Sequence, residues 1–205
     1  HNAAPSAQSQ HPPPQIILVS HLIMPTLDQE AAHIYRSAEL LHDSTSIAQA
    51  LDRMASEITA QLARSNPLAL VVLTGGMIPA SGLLTRLDFP LEIDYLHATR
   101  YRGATVGGQL HWKARPTIPL VDRHVLLVDD ILDEGHTLQA IVAECRQQGA
   151  ASVRSAVLVE KQHQRRINIT ADFVGLVVPD RYVFGCGMDY KGYLRNLPGI
   201  YAVAD

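Results

Sequence analysis

The chain has 205 residues, which is enough for one domain of ordinary size with a small accessory lobe. Its composition of 47% apolar and 18% charged residues excludes a mostly disordered or fibrous protein. There are 17 basic and 20 acidic side chains, for a formal net charge of −3. Because nucleic-acid-binding modules usually carry a basic surface, this balance favours small-molecule ligands and predicts no nucleic-acid partner.

Simple sequence patterns also predict the extent of the domain and the cellular compartment of the protein. Residues 1–14 are polar and rich in Ala, Ser, Gln and Pro, which predicts a disordered tail followed by a single domain over residues 15–205. No apolar run approaches the roughly 18 residues that cross a bilayer, so no membrane partner is expected. Cys145 and Cys186 show no paired spacing, so no disulfide framework is indicated and a cytoplasmic location is expected.

The first third of the chain predicts a strand and two helices. Gln15–Ser20 has the length and apolar character of a short strand. Thr26 and Gln29 have the spacing of a capping box that opens a helix. The apolar positions of this helix are Ala31, Ile34, Tyr35, Ala38 and Leu41. A second helix is predicted from about Ser46, and its apolar face comprises Ile47, Leu51, Met54, Ile58 and Leu62.

The middle of the chain predicts a buried strand and then a polar excursion. The continuous apolar run 68–73 is typical of a strand covered on both faces. A short helix through Leu83 and Leu84 and a strand over 91–98 are expected next. The stretch from Thr99 to Pro116 is polar and glycine-rich, and we predict a long mobile loop there.

A βαβ unit is the clearest element of the sequence. It comprises a strand over 124–130, a turn at Gly135, a helix that ends at Gly149, and a strand over 152–159. Such units form a parallel sheet with helices on both faces and ligands at the carboxyl ends of the strands. The fold class is therefore α/β with a doubly wound, mostly parallel sheet. Two further strands are predicted over 172–178 and 182–186.

Two adjacent carboxylates mark the carboxyl end of the central strand. Asp129 and Asp130 are followed by Gly135 and Thr137 at the start of a helix. Free backbone N–H groups at a helix start, a glycine and a hydroxyl form a site suited to phosphate. The two acids could hold sugar hydroxyls or Mg²⁺, or they could simply cap a helix in solvent; the residues alone leave both interpretations open.

The complete string over 128–137 resembles the phosphoribosyl pyrophosphate signature of the type I phosphoribosyltransferases. Other segments are similar to those of the hypoxanthine-guanine phosphoribosyltransferases in particular. Residues 73–76 resemble the pyrophosphate loop, which in that family often contains a non-proline cis peptide. Lys161 stands where the family has the lysine that reads the purine 6-oxo group. Asp180–Val183 resembles the base-stacking segment, and Asp189, Tyr190 and Arg195 match its acidic and pyrophosphate-side positions.

This resemblance implies a purine salvage enzyme that joins hypoxanthine or guanine to the phosphoribosyl group, with Mg²⁺. It implies a small hood built from the terminal segments and a homodimer or homotetramer. Asp133 would be the catalytic acid/base at purine N7. Phosphoribosyl binding is expected from Asp129, Asp130, Gly135, His136 and Thr137. Pyrophosphate binding is expected from Thr74, Gly75 and Arg195, base binding from Lys161, Tyr182 and Val183, and metal binding from Asp129, Asp130 and Asp189.

Some positions depart from the family pattern, and two other classes of protein compete with the enzyme. Thr74 and His136 stand where lysines are frequent, and Glu134 stands where a small or hydroxyl residue is commoner. A regulator with the same fold could bind nucleotide or nucleic acid without catalysis. A phospho-acceptor receiver domain also carries paired acids after a strand, but near the start of its domain. Neither alternative accounts for Lys161, Tyr182 and Asp189 together.

Overall fold

The computed structural model describes residues 25–100 and 110–204. The predicted tail over 1–14 and the predicted strand Gln15–Ser20 lie outside these residues. The described part has four helices and nine strands. In chain order they are α1 Leu27–Ser37, β1 Glu39–His42, α2 Ser44–Leu62, β2 Leu68–Val72, α3 Met77–Leu84, β3 Glu92–Arg100, β4 Leu110–Ala114, β5 His124–Leu132, α4 His136–Gln147, β6 Ser152–Lys161, β7 Phe173–Val178, β8 Val183–Phe184 and β9 Ile200–Ala202.

A six-stranded sheet forms the centre of the molecule, in the order β4-β3-β2-β5-β6-β7. All its neighbouring strands are parallel except β4, which runs antiparallel to β3. Alternate side chains of β5 enter different cores: Leu126 and Val128 pack with α2 and α3, whereas Val125 and Leu127 pack with α4. The predicted doubly wound, mostly parallel sheet is confirmed.

A smaller antiparallel sheet of order β1-β9-β8 forms the expected hood from terminal segments. Its outer side packs with α1 through Ala31, Phe184 and Tyr190. Its inner side belongs to the main core, because Ile200 and Ala202 share a buried cluster with residues of the large sheet. The hood is therefore fixed directly above the sheet.

The first predicted helix and the predicted mobile loop differ from the structure. The capping box is present, and Gln29 accepts a hydrogen bond from the Thr26 N–H at 3.2 Å. The helix ends at Ser37, however, and Leu41 lies in β1, because pairing with β9 overrides the helical spacing. The mobile loop predicted over 99–116 is wrong at residues 99 and 100, which belong to β3, and over Leu110–Ala114, which pairs with β3 as β4. Residues 101–109 lie outside the described part.

The ends of three strands also differ from the prediction. The central strand β5 continues two residues past Asp130 because it keeps pairing with β6, and β6 continues to Lys161 because that residue pairs with Val178 of β7. The predicted strand over 182–186 is shorter, since positive φ angles at Gly185 and Cys186 turn the backbone after Phe184. Across residues 25–100 and 110–204, no helix is both long and apolar enough to cross a membrane.

Candidate active site

Asp133 and Lys161 meet at the carboxyl ends of two neighbouring parallel strands. Asp133 directly follows β5 and Lys161 is the last residue of β6, with Leu132 opposite Glu160 in the register. The Lys161 Nζ lies 2.9 Å from the Asp133 Oδ2. The lysine side chain is only 11% exposed, while that of the aspartate is 42% exposed. A buried ammonium and an accessible carboxylate thus stand side by side.

Asp129 and Asp130 are consecutive residues of β5, and their carboxyl groups lie close enough to interact with each other. Each carboxylate accepts a hydrogen bond from the next backbone N–H, at 2.9 Å and 2.8 Å. Burial raises the pKa of Asp129 well above its ordinary value, and the neighbouring Asp130 carboxylate raises it further. Burial raises the pKa of Asp130 as well. Asp130 is buried and Asp129 is half-buried, so a cation beside the pair would stabilise the ionised form of both carboxyl groups.

The predicted pyrophosphate loop crosses directly over Asp130. The Leu73–Thr74 peptide bond is cis, and Thr74 is exposed. A Cβ at Gly75 would stand 1.9 Å from the Asp130 Oδ2, so any side chain there would force the Asp130 carboxylate or the loop to move. The same region touches the hood-side loop, because a Cβ at Gly187 would lie 2.3 Å from the Gly75 carbonyl oxygen. Sequence reasoning missed the role of Gly187, whose partners are distant along the chain.

Arg195 connects the hood-side loop at Gly187 to the carboxylate of Asp189. Its Nη2 lies 2.6 Å from the Asp189 Oδ1, and its Nη1 donates to the Gly187 carbonyl at 2.6 Å. The same Nη1 is 3.8 Å from the Asp130 Oδ2. The predicted residues Asp130, Asp189 and Arg195 are therefore brought together, with the arginine between the two acids.

The predicted phosphate loop leads into α4. Gly135 has φ +90°, and a Cβ there would meet the Ile169 Cγ2 at 2.3 Å. His136 and Thr137 begin α4, where the first backbone N–H groups of a helix have no carbonyl partner within it. The Glu134 carboxylate points toward His136 at 3.9 Å, and the Glu134 carbonyl accepts from the Ile167 N–H. Glu134, the acid that departs from the family pattern, therefore contacts residues within and beside the phosphate loop.

The predicted base-binding segment lies along the hood. Tyr182 is 51% exposed and meets Tyr190 edge to face, with ring centroids 5.5 Å apart. The Val183 side chain is buried in the main core, so only its backbone could contact a base. Arg165 pairs with Asp180 through two hydrogen bonds of 2.7 Å. This pair ties the segment after Lys161 to the segment before Tyr182.

His163 is a contact of Asp133 that the sequence analysis did not identify. Its Nε2 lies 2.5 Å from the Asp133 Oδ1, and its side chain is 3% exposed. Partial burial acts to raise the pKa of Asp133, but hydrogen bonds from Lys161 and His163 outweigh it and hold that pKa below its ordinary value. The signal available in the sequence was the two-residue spacing from Lys161, which places both side chains on one side of an extended chain.

Comparison with known proteins defines the class. A family model described as a phosphoribosyl transferase domain matches residues 37–191. These residues contain the cis peptide loop, the paired acids, the phosphate loop and Asp189. The chain belongs to the phosphoribosyltransferase family, and the alternative of a receiver domain is wrong.

Individual relatives narrow the class. The hypoxanthine-guanine phosphoribosyltransferase of Streptococcus pneumoniae is 34% identical over 160 residues, which cover 78% of this chain and 88% of that protein. The hypoxanthine-guanine-xanthine enzyme of Tritrichomonas foetus is 32% identical, with 78% and 88% covered. A crystal structure of hypoxanthine phosphoribosyltransferase from Staphylococcus aureus superposes with a TM-score of 0.79 at 26% identity, covering 84% of this chain and 95% of that one. Within the family, the chain belongs to the hypoxanthine-guanine phosphoribosyltransferases of purine salvage.

Proposed function

We propose that the chain transfers the 5-phosphoribosyl group of phosphoribosyl pyrophosphate to hypoxanthine or guanine, giving IMP or GMP and pyrophosphate. The observation that carries this substrate choice is the pairing of Lys161 with Asp133 at 2.9 Å. An ammonium that only donates and a carboxylate that only accepts match two neighbouring atoms on one purine edge, the 6-oxo group and the N7–H.

Base choice follows from the burial of Lys161. A 6-oxo group accepts from the ammonium, whereas a 6-amino group leaves it without an acceptor on the base. Because the lysine side chain is 11% exposed, water replaces that partner poorly. Adenine is therefore a poor substrate. The exposed ring of Tyr182 stacks on the base, and Val183 contacts it through the backbone.

The phosphoribosyl group lies between the two loops that end β2 and β5. Gly135, His136 and Thr137 bind the 5′-phosphate at the start of α4, where the helix dipole favours an anion. Asp129 and Asp130 bind the ribose hydroxyls. Thr74, Gly75 and Arg195 bind the pyrophosphate.

The chemical step develops positive charge on the ribose as pyrophosphate departs. Asp133 is ionised at neutral pH because its pKa lies below the ordinary value, so it can accept the N7 proton when the base attacks. In the reverse direction the same group returns the proton. The hood above the sheet limits water at the cationic ribose.

Carboxylate oxygens are the donors that Mg²⁺ prefers, and the residues present fit it. Among the described residues, no three or more His, Cys, Asp or Glu converge as a ready metal site. Mg²⁺ commonly uses only one or two protein carboxylates together with water and substrate phosphates. Asp129 and Asp130 would hold the ion on the ribose side and Asp189 on the pyrophosphate side. Bound Mg²⁺ neutralises pyrophosphate charge.

A direct assay tests the function. The chain is incubated with phosphoribosyl pyrophosphate, Mg²⁺ and hypoxanthine, guanine or adenine in turn, and nucleotides are quantified by chromatography. We expect IMP and GMP, with discrimination against adenine on the order of 10³ in kcat/KM. Nucleotide binding without turnover would instead favour a non-catalytic regulator, and efficient AMP formation would contradict the role of Lys161.

Compartment and assembly complete the proposal. Cys145 and Cys186 are both free thiols in the core, which supports a reducing, cytoplasmic location. Membership of the family supports a homodimer or homotetramer. Light scattering coupled to size exclusion measures the assembly, and a monomer at the assay concentration would contradict it.

A further inference from the structure

His163 is the most buried titratable side chain in contact with the proposed reacting carboxylate. Its Nε2 faces the Asp133 Oδ1 at 2.5 Å, on the opposite oxygen from Lys161. Its Nδ1 faces the backbone N–H of Arg165 at 3.1 Å. Both ring nitrogens therefore have a partner.

These two contacts define the tautomer of the ring. A backbone N–H can only donate, so Nδ1 must be the unprotonated acceptor and Nε2 must carry the hydrogen. Nε2–H then donates to Asp133. The histidine is held as a neutral ring whose one N–H is aimed at one carboxylate oxygen.

The two donors to Asp133 differ in rigidity. Lys161 has a flexible four-carbon stem, and its ammonium is also the group that meets the base. His163 is a planar ring locked by a backbone N–H and 3% exposed. Asp133 itself is 42% exposed, and Lys161 and His163 are the side chains that hydrogen-bond its carboxylate in the described part of the chain. The orientation of this carboxylate consequently depends on His163.

The loop that carries His163 has other anchors. The Gln162 N–H donates to the Val178 carbonyl at 2.9 Å, and the Ile167 N–H donates to the Glu134 carbonyl at 3.0 Å. Arg165 is fixed by Asp180. Loss of the imidazole should therefore leave the loop in place and affect mainly the Asp133 carboxylate.

We propose that His163 is a positioning residue that orients the Asp133 carboxylate toward the purine N7 during phosphoribosyl transfer. This inference rests on the proposed role of Asp133 as acid/base. A partner that orients a reacting group acts chiefly on the chemical step, because the group's position matters most in the transition state.

The experiment compares His163→Gln with His163→Asn. The glutamine amide nitrogen can occupy the Nε2 position, whereas asparagine is one methylene shorter and cannot reach Oδ1. We expect His163→Asn to lower kcat by up to about 100-fold, because the reacting carboxylate is then misplaced, and we expect His163→Gln to retain most of the wild-type kcat. KM for phosphoribosyl pyrophosphate should not change. His124→Asn is the control, since His124 bonds Ser152 at the other end of β5.

A double-mutant cycle of His163 and Asp133 tests this inference separately from the proposed function. In an Asp133→Asn background, His163→Asn should have almost no further effect on kcat, because His163 acts through the carboxylate. An undiminished kcat in His163→Asn, or an equal loss in both backgrounds, overturns the positioning role. If Asp133→Asn itself retains full kcat, the proposed acid/base role fails instead. Thermal midpoints for each variant show whether a loss reflects unfolding.

Discussion

At the scale of single residues, Asp133 offers a substitution that preserves shape and removes charge. Asp133→Asn keeps an acceptor oxygen for Lys161 but cannot take the N7 proton. We expect kcat to fall by about 10² to 10⁴, with a much smaller change in KM for phosphoribosyl pyrophosphate. Steady-state kinetics with hypoxanthine measure both. A fall in kcat of less than about tenfold would be too small for a general acid/base.

A substitution at Lys161 tests recognition of the base separately from binding of the phosphoribosyl group. Lys161→Met removes the donor and keeps the length of the stem, so kcat/KM for hypoxanthine and guanine should fall by at least about 10²-fold. Calorimetry with phosphoribosyl pyrophosphate and Mg²⁺ should give a nearly unchanged affinity, since the proposed phosphate loops are separate. Arg154→Met is the matched control, because Arg154 pairs with Asp172 near the start of the same strand. If Lys161→Met used hypoxanthine and guanine as well as the wild type does, the lysine would have no role in recognising the base.

At the scale of elements, the loop after β2 is shaped by one close approach. In Gly75→Ala the new Cβ would collide with the Asp130 carboxylate, so the loop or the acid must move. Such displacement should lower kcat/KM for phosphoribosyl pyrophosphate by up to about 10²-fold. Gly82→Ala in α3 is the control, since its Cβ would meet only the ends of two side chains, the Leu51 Cδ1 at 2.8 Å and the Arg86 Nη1 at 3.7 Å. Equal kinetics for the two variants would mean that Asp130 is not used in binding.

Asp94 in β3 holds the segment that follows β4. Its carboxylate accepts from the Thr117 N–H at 2.6 Å and the Ile118 N–H at 2.9 Å. Burial acts to raise the pKa of Asp94, but these and two further hydrogen bonds outweigh it and leave that pKa below the ordinary value. Since the folded pKa is depressed, this stabilisation is complete above the unfolded pKa and is lost as pH falls through the folded value.

Asp94→Asn should therefore be less stable than the wild type at neutral pH, by about 1–3 kcal/mol of unfolding free energy. The difference should shrink as pH falls below about 4, where aspartate in an unfolded chain becomes protonated. Urea unfolding at several pH values measures it, and Asp88→Asn, an exposed aspartate, serves as the control. A difference independent of pH would show that the charge of Asp94 is not involved.

Local signals explain which elements the sequence could predict. The run 68–73 is apolar at every position, so strand β2 could be predicted from the sequence. The capping residues of α1 are close in the chain, so the start of this helix could be predicted as well. Leu41 fits a helical face but lies in β1, whose neighbouring residues Leu40 and His42 pair with β9 some 160 residues later. The residues of β4 have the polar character of a loop, and only their pairing with β3 makes them a strand. The contacts of His163, Gly187 and Arg195 are also tertiary. The resemblance to the family identified Lys161 and Arg195 as site residues, but it did not identify His163.

At the scale of the whole molecule, the hood and the large sheet share one core. Val183 and Ile200 from the hood lie in the same buried cluster as Leu126 and Leu158 from the sheet. The site is assembled across this junction, because Arg195 reaches both Asp189 and the β5 acid Asp130. Shared apolar burial couples the stability of the two sheets, so opening the hood exposes core as well as the site.

This coupling predicts a single unfolding transition for hood and sheet. Trp112, the only tryptophan, lies in β4 at one edge of the large sheet, whereas Cys186 lies buried in the turn after β8. Burial raises the pKa of the Cys186 thiol to about 11, so it should react slowly until its surroundings open. With Cys145→Ala as the background, Cys186 is the sole thiol. Tryptophan fluorescence and thiol labelling after equilibration in urea should then give the same midpoint, because all-or-none unfolding moves every probe together. Labelling of Cys186 at a clearly lower urea concentration than the fluorescence change would show that the hood opens separately and that residues 25–100 and 110–204 do not form one cooperative domain.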